Sequence, residues 1–259
     1  MSHPERIVCL TTETTEIVYA LGAGDRVAGV SGYSVRPPEA RKKPRVAAFS
    51  SVKMEALLRL EPDLVLAFSD VQKEIVRDLV GAGLTVLALN QRSFAEMFQA
   101  VRLIGGAIGL PGRAEALVAE MEAEVEAVRE RGRALPRRPR VFFEEWDDPL
   151  ISGIGWVGEV IELSGGENIF AELGERKAGP DRVVAPEEVV RRDPEVIVAS
   201  WCGKRVSKKR IRSRPGWSAT AAVREGRIYE IKSPDILSPG PSLLRGLSQM
   251  QEILLREFA

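Results

Sequence analysis

Apolar runs of about six residues, each bounded by a turn signal, alternate along this chain with longer stretches whose apolar positions recur every three or four residues. The first pattern predicts buried strands at residues 6–11 (RIVCLT), 26–30, 63–68 (DLVLAF), 84–89, 140–145 (RVFFEE), 195–200 and 227–231. The second predicts helices at 12–21, with Thr12 as the cap, and at 53–60, 71–82, 93–109, 156–164, 186–192 and 242–258. Residues 31–44 are polar and proline-bearing, hence loop, and they carry Tyr33. Strand and helix in alternation predict an α/β fold built on mostly parallel sheets flanked by helices.

One predicted helix interrupts the alternation. Residues 111–135 have a proline at each edge, Pro111 and Pro136, and Leu117, Met121, Val125 and Val128 recur on one helical face. Acidic residues fill its first part and Arg129, Arg131 and Arg133 close it, the order the helix dipole favours. With α/β material on both sides, it reads as a long rigid helix (111–136) joining an N-terminal lobe (1–110) to a C-terminal lobe (137–259). A long surface helix of a single domain is the alternative. An internal repeat favours two lobes: residues 54–69 (MEALLRLEPDLVLAFS) align without gaps on 186–201 (PEEVVRRDPEVIVASW), with Glu55 on Glu187, Arg59 on Arg191 and Pro62 on Pro194.

Composition narrows the function. With 37 basic and 37 acidic residues, nothing global points to nucleic acid or to a membrane surface. Cys9 and Cys202 give neither a disulfide framework nor metal-site spacing, and no metal site is expected. His3 is the only histidine, which removes histidine-based acid–base catalysis and His-rich metal sites. No run approaches the ~18 apolar residues of a membrane span. The N-terminus enters a strand with no apolar leader before it, so the chain as written is expected to be soluble and unexported, although a trimmed precursor would look the same. A monomer is expected.

In open α/β sheets ligands sit beyond the carboxyl ends of the strands. Phe68, Ser69 and Asp70 fall there in the first half, and Ser200, Trp201 and Cys202 in the second. Tyr33, Phe49, Trp146 and Trp156 fall in loops or helix starts after strands, so the aromatics suggest walls for a wide, flat ligand. Core or rim packing is the competing reading for each. Ser69 and Asp235 are candidate polar groups at the edge of such a site. Residues 153–158 fit G-x-G-x-x-G but do not follow directly on a strand, so a flexible loop fits better than a nucleotide site. The acidic group Glu144, Glu145, Asp147 and Asp148 reads as a solvated loop, and residues 204–214, seven of eleven basic, as a solvated loop and helix face. No catalytic residue is assigned.

The stretches RIVCLTTETTEIVYALGAGDRVAGVSGYS, SVKMEALLRLEPDLVLAF, ISG…VIELSGGENIF and VVAPEEVVRRDPEVIV together resemble the ABC-importer substrate-binding proteins whose two lobes are joined by one rigid helix. Within that class of cobalamin-, siderophore- and haem-binding proteins, the likeness is greatest to the cobalamin binders. The resemblance implies a non-catalytic protein that holds cobalamin or another corrinoid between its lobes, opens little, and hands its ligand to an ABC permease. Tyr33, Phe49 and Phe68 match aromatics that line the corrinoid pocket, with Phe49 and Phe68 standing where tryptophan is found in well-known members. Glu55 and Glu187 match the paired glutamates that dock on permease arginines. The chain departs from the pattern at Asp181, where a second-lobe tryptophan is expected, and in lacking an export signal. An iron–siderophore or haem binder, or a cytosolic tetrapyrrole carrier or chelatase-like enzyme, are the alternatives. With no imidazole to replace a corrinoid's axial base, affinity is expected to change little between pH 6 and 8.

Overall fold

Strand Ile7–Cys9 (β1) is apolar and buried at every position, as a central parallel strand covered by helices on both faces requires. The structure is a computed structural model and describes residues 3–259; Met1 and Ser2, where the reading of the N-terminus starts, lie outside the described residues. The chain divides into two units, Met1–Glu122 with Pro239–Pro241, and Ala123–Ser238 with Ser242–Ala259.

In the first unit β1 is followed by helix Thr12–Ala20 (α1), strands Val27–Ser31 (β2), Arg45–Ala48 (β3) and Ser51–Val52 (β4), and helix Met54–Leu58 (α2). Strand Leu64–Phe68 (β5), helix Lys73–Gly81 (α3), strand Val86–Leu89 (β6) and helix Phe94–Ala107 (α4) complete it. The strands lie in the order β4-β3-β2-β1-β5-β6, parallel except for the antiparallel edge β4. Val8, Leu10, Val46, Leu57, Val65 and Leu79 close one face of this sheet. The predicted cap moves by one residue. Thr11, in extended backbone (φ −138°), precedes α1, and the hydroxyls of Thr14 and Thr15 donate to its carbonyl at 3.1 and 2.8 Å.

Helix Pro111–Arg133 (α5) is continuous, and the boundary between the units falls inside it, at Glu122/Ala123. Its buried positions are Ala114, Val118, Met121, Val125, Val128 and Gly132, a steady alternation of four- and three-residue steps. Leu117, which the sequence placed on this stripe, is only half-buried, because Val118 keeps the period better.

The second unit contains strands Arg140–Asp147 (β7) and Leu150–Ser152 (β8), helix Gly155–Leu163 (α6), strand Glu167–Asn168 (β9), helix Pro186–Arg192 (α7) and strand Val196–Ala199 (β10). Short helices Lys208–Arg212 (α8) and Ala221–Arg224 (α9), strand Ile228–Glu230 (β11), and helices Ser233–Ile236 (α10) and Leu243–Phe258 (α11) follow. The order β11-β10-β7-β8 has its first three strands parallel; β9 pairs with the start of β7 and the antiparallel β8 with its end. Phe142 anchors the core, with the rings of Phe170 and Trp217 edge-on at 5.6 and 6.0 Å.

Three sequence-based expectations change here. Strand β7 continues through Trp146 and Asp147, with a register shift between Glu144 and Trp146, so the acidic group is mostly strand rather than loop. Residues 153–158 are not a flexible loop, since α6 starts inside them and buries Trp156, Val157, Val160 and Ile161 on one face. The amide of Ile154, the residue before α6, donates to Glu145 Oε2 at 3.0 Å, so a carboxylate of the chain already occupies that helix start. At the other end of α6 the backbone meets α5 directly. A side-chain carbon added at Gly132 would lie 2.6 Å from the Leu163 carbonyl oxygen and 2.8 Å from the Gly165 amide.

Candidate functional site

In the first unit the carboxyl ends of the parallel strands carry the candidate residues. Ser31 on β2 pairs with Ala47 on β3, and Gly32 donates to the Ala47 carbonyl at 2.7 Å, so Tyr33 and Phe49 each lie two residues beyond this pair, just past the ends of neighbouring strands. Both rings face solvent, 58% and 47% exposed, against the usual preference of aromatics for the interior. Phe68, at the end of β5, is buried, with the Arg92 guanidinium 5.2 Å from its ring centre. Gln72, fully buried, ties these loops together: its Oε1 accepts from the Phe68 amide at 3.0 Å and its Nε2 donates to the Phe49 carbonyl at 2.9 Å. Ser69 has φ +67°, uncommon outside glycine, and its hydroxyl accepts from the Val71 amide at 3.3 Å.

Behind this rim lies a buried polar floor that sequence reasoning missed. Thr11, Thr12, Glu13, Thr14, Thr15, Ser31 and Ser34 are all buried, and the Thr15 and Ser34 hydroxyls share a hydrogen bond of 2.9 Å. The run TTETTE after an apolar strand was the available signal, because polar residues on every face of a helix start at the carboxyl end of a parallel strand are not solvated by default. Burial pushes the Glu13 carboxyl up to about 7, and Glu16 adds to the rise while Thr11 and Arg92 oppose it. Glu13 Oε1 has no hydrogen-bond partner among the described residues. The segment Pro239–Pro241 packs over this floor: Gln91 Nε2 donates to the Pro239 carbonyl at 3.2 Å, and a carbon added at Gly240 would sit 2.7 Å from Glu13 Cβ. Glu13 is thus a group other than histidine whose carboxyl titrates near neutrality.

In the second unit the carboxyl end of β7 holds a buried ionic cluster in place of the expected solvated acids. The Glu144 side chain shares a face with Phe142, one pleat apart, and so lies at the edge of the core. Arg214 meets it at 2.6 and 2.9 Å, and Trp201 Nε1 donates to it at 2.9 Å. Burial raises the Glu144 carboxyl despite these partners. Burial also acts to raise Asp147, but Lys204 and Arg210 outweigh it and hold that carboxyl below its ordinary value. Glu145 forms a two-pronged pair with the buried Arg182 at 2.6 and 2.9 Å.

The second-unit aromatics are therefore not a set of open walls. Trp201 is enclosed and Trp146 half-buried, with Lys204 Nζ 4.0 Å from the Trp146 ring centre and 5.0 Å from that of Trp201. Trp156 is a core residue whose indole donates to the Ile236 carbonyl at 3.0 Å. Asp235 is buried in α10 and accepts from Gln249 at 3.3 Å. Cys202 is exposed, whereas burial pushes the Cys9 thiol up to about 12 and leaves it inert. His3 lies against Gly109, just past the end of α4.

Glu55 and Glu187 occupy the first turns of α2 and α7, as the repeat requires, and both are exposed. A helix leading into a parallel strand starts at the carboxyl end of the sheet, so each glutamate lies at that end of its own unit. Glu55 has only Arg59 near, at 3.9 Å. Beside Glu187 it is Glu188 that takes Arg191 and Arg192, which hold its carboxyl down at about 2.

Known proteins share this architecture along its whole length. An ABC transporter substrate-binding lipoprotein of Bacillus subtilis is 31% identical over 96% of the chain and 79% of its own length. A cobalamin-binding protein of Halobacterium salinarum is 28% identical over 96% of the chain and 69% of its own length. The apo form of a periplasmic haem-binding protein from Roseiflexus superposes with a TM-score of 0.85 at 28% identity, covering 99% of both chains. Residues 7–234 match the model of the periplasmic binding proteins, and the chain belongs to that family, as a substrate-binding protein of the ABC-importer type.

Proposed function

We propose that the ligand of this substrate-binding protein is cobalamin or another corrinoid, held without chemical change and passed to an ABC permease. The reading rests chiefly on Tyr33 and Phe49, two solvent-facing rings at the carboxyl ends of neighbouring strands, which suit the apolar face of a macrocycle. The Gln72 clamp, bonded to the Phe68 amide and the Phe49 carbonyl, holds the loops behind these rings in place for such a ligand. The Halobacterium relative, similar over nearly the whole chain, is a cobalamin-binding protein and supports this choice. Delivery to a permease implies a working place outside the cytoplasm, in keeping with the lipoprotein relative. Among the described residues no helix is long and apolar enough to cross a membrane.

Haem is the second reading, and one observation favours it: the exposed Tyr33 phenol is a potential iron ligand in a chain whose one histidine lies elsewhere. Separate titrations with cyanocobalamin and haemin, followed by tryptophan quenching and absorbance, decide between them. For a corrinoid binder, Tyr33→Phe retains cyanocobalamin affinity to within a few-fold, and the corrinoid is recovered unaltered. Saturable haemin binding that Tyr33→Phe abolishes, with no response to cyanocobalamin, would overturn the corrinoid reading.

A further inference from the structure

The basic segment 204–214 is not a uniformly solvated face, because the structure divides its seven cations by role. Three turn inward. Lys204 and Arg210 pair with Asp147, and Arg214 with Glu144, both carboxylates being fully enclosed. Arg214 is held further by the Trp217 ring, 4.5 Å away, and Ile211 of α8 is buried in the core. Two buried carboxylates and an apolar anchor thereby fix the segment in one conformation. The other four, Arg205, Lys208, Lys209 and Arg212, are exposed and have no carboxylate partner among the described residues. Lys208 lies over the Tyr229 ring at 5.4 Å. Since the chain as a whole carries 37 charges of each sign, this excess is local to the segment.

The patch follows β10 at its carboxyl end, the same end of the sheet at which α7 begins with Glu187. We infer that it is a docking surface for an anionic phospholipid membrane, holding the second unit against the headgroups. The inference rests on the reading of Glu187 as a permease-docking residue, since that reading turns this end of the unit toward a bilayer. An acidic protein partner fits less well. The four cations sit exposed on long side chains that no carboxylate of the chain holds in a fixed array, whereas headgroups rearrange laterally to meet them.

The test is co-sedimentation of the whole protein with vesicles of phosphatidylcholine alone or with about one third phosphatidylglycerol, each cation near such a surface being worth about a five-fold gain. Wild-type protein should pellet only with the anionic vesicles and be released at about 0.5 M salt, where screening acts within a few Å. The triple variant Arg205→Glu, Lys209→Glu, Arg212→Glu should lose at least about a hundred-fold in partitioning. Circular dichroism checks its fold, and the milder Arg205→Gln, Lys209→Gln pair covers a variant that does not fold. Equal pelleting with neutral vesicles, or unchanged partitioning of a folded variant, would sink the inference. So would binding confined to permease-containing membranes whatever their lipid, which would identify a protein partner. Cyanocobalamin titration of the same variant separates the two readings: a folded variant with lost affinity would assign the cations to the ligand site instead. Failure of wild type to bind any corrinoid would strike the ligand reading and leave the vesicle result standing.

Discussion

Glu13 is an ionisable group in a place water does not reach, and its titration should be visible in the stability of the protein. Its folded value of about 7 lies above the ordinary value of 4.5. Between those two values the unfolded chain has released the proton while the folded chain still holds it, so rising pH favours unfolding across that window. Below 4.5 both states are protonated and the penalty is absent; above 7 it is complete, at about 3 kcal/mol. Glu13→Gln, which cannot ionise, should flatten the fall in denaturant midpoint between pH 5 and 7 and leave the variant the more stable of the two at pH 8. A wild-type profile that is flat over the same range would show the carboxyl to be solvated. Such residues were hard to read from the sequence, because Glu13 acquires its character from Gly240 and Arg92, far along the chain. Glu144 likewise depends on Arg214, seventy residues on, with which it was not associated. The exposed rim was more legible: Tyr33 falls in the polar loop after the strand predicted at 26–30, and Phe49 lies between elements, although the strand before it, Arg45–Ala48, shows only in the structure.

At the scale of elements, α5 offers two glycine-to-alanine substitutions with opposite signs. At Gly112 an added carbon meets nothing within 4 Å, and alanine's better helix propensity should stabilise by up to about 1 kcal/mol. At Gly132 the same carbon strikes the Leu163 carbonyl and the Gly165 amide, and Gly165 itself has φ +91° and cannot easily give way. Backbone must shift there, so Gly132→Ala should destabilise by about 1–3 kcal/mol despite the propensity gain. Urea unfolding of the two variants checks the contrast, and a stabilising effect at both sites would mean that α5 and α6 do not touch backbone to backbone. Regular elements were readable where one pattern dominated: α7 runs from Pro186 to Arg192 as its proline start and periodicity require. The apolar pattern predicts a strand only to residue 145, and the pairing of Trp146 and Asp147 with β8 extends β7 beyond it. Trp156, expected at a helix start facing a ligand, lies instead in the core, where the glycines before it admit close packing: a carbon added at Gly153 would lie 3.1 Å from Phe143.

For the whole molecule, the repeat that places Glu55 and Glu187 in matching first turns leads to a transport experiment. Both side chains are exposed, so replacing each with alanine should leave ligand affinity within two-fold, while uptake into vesicles carrying the cognate permease falls to background in the double variant. Unimpaired uptake would reduce the pair to helix-dipole partners. The path of the chain also constrains how genes for such proteins can recombine. Pro239–Pro241 is encoded amid the second unit yet packs in the first, with Gly240 pressed on Glu13. A crossover between two parental genes at the α5 boundary would therefore take the polar floor from one parent and the tripeptide that covers it from the other. Only parents sharing a glycine at that position should yield folded offspring, so a barrier to exchange is written far downstream of the breakpoint.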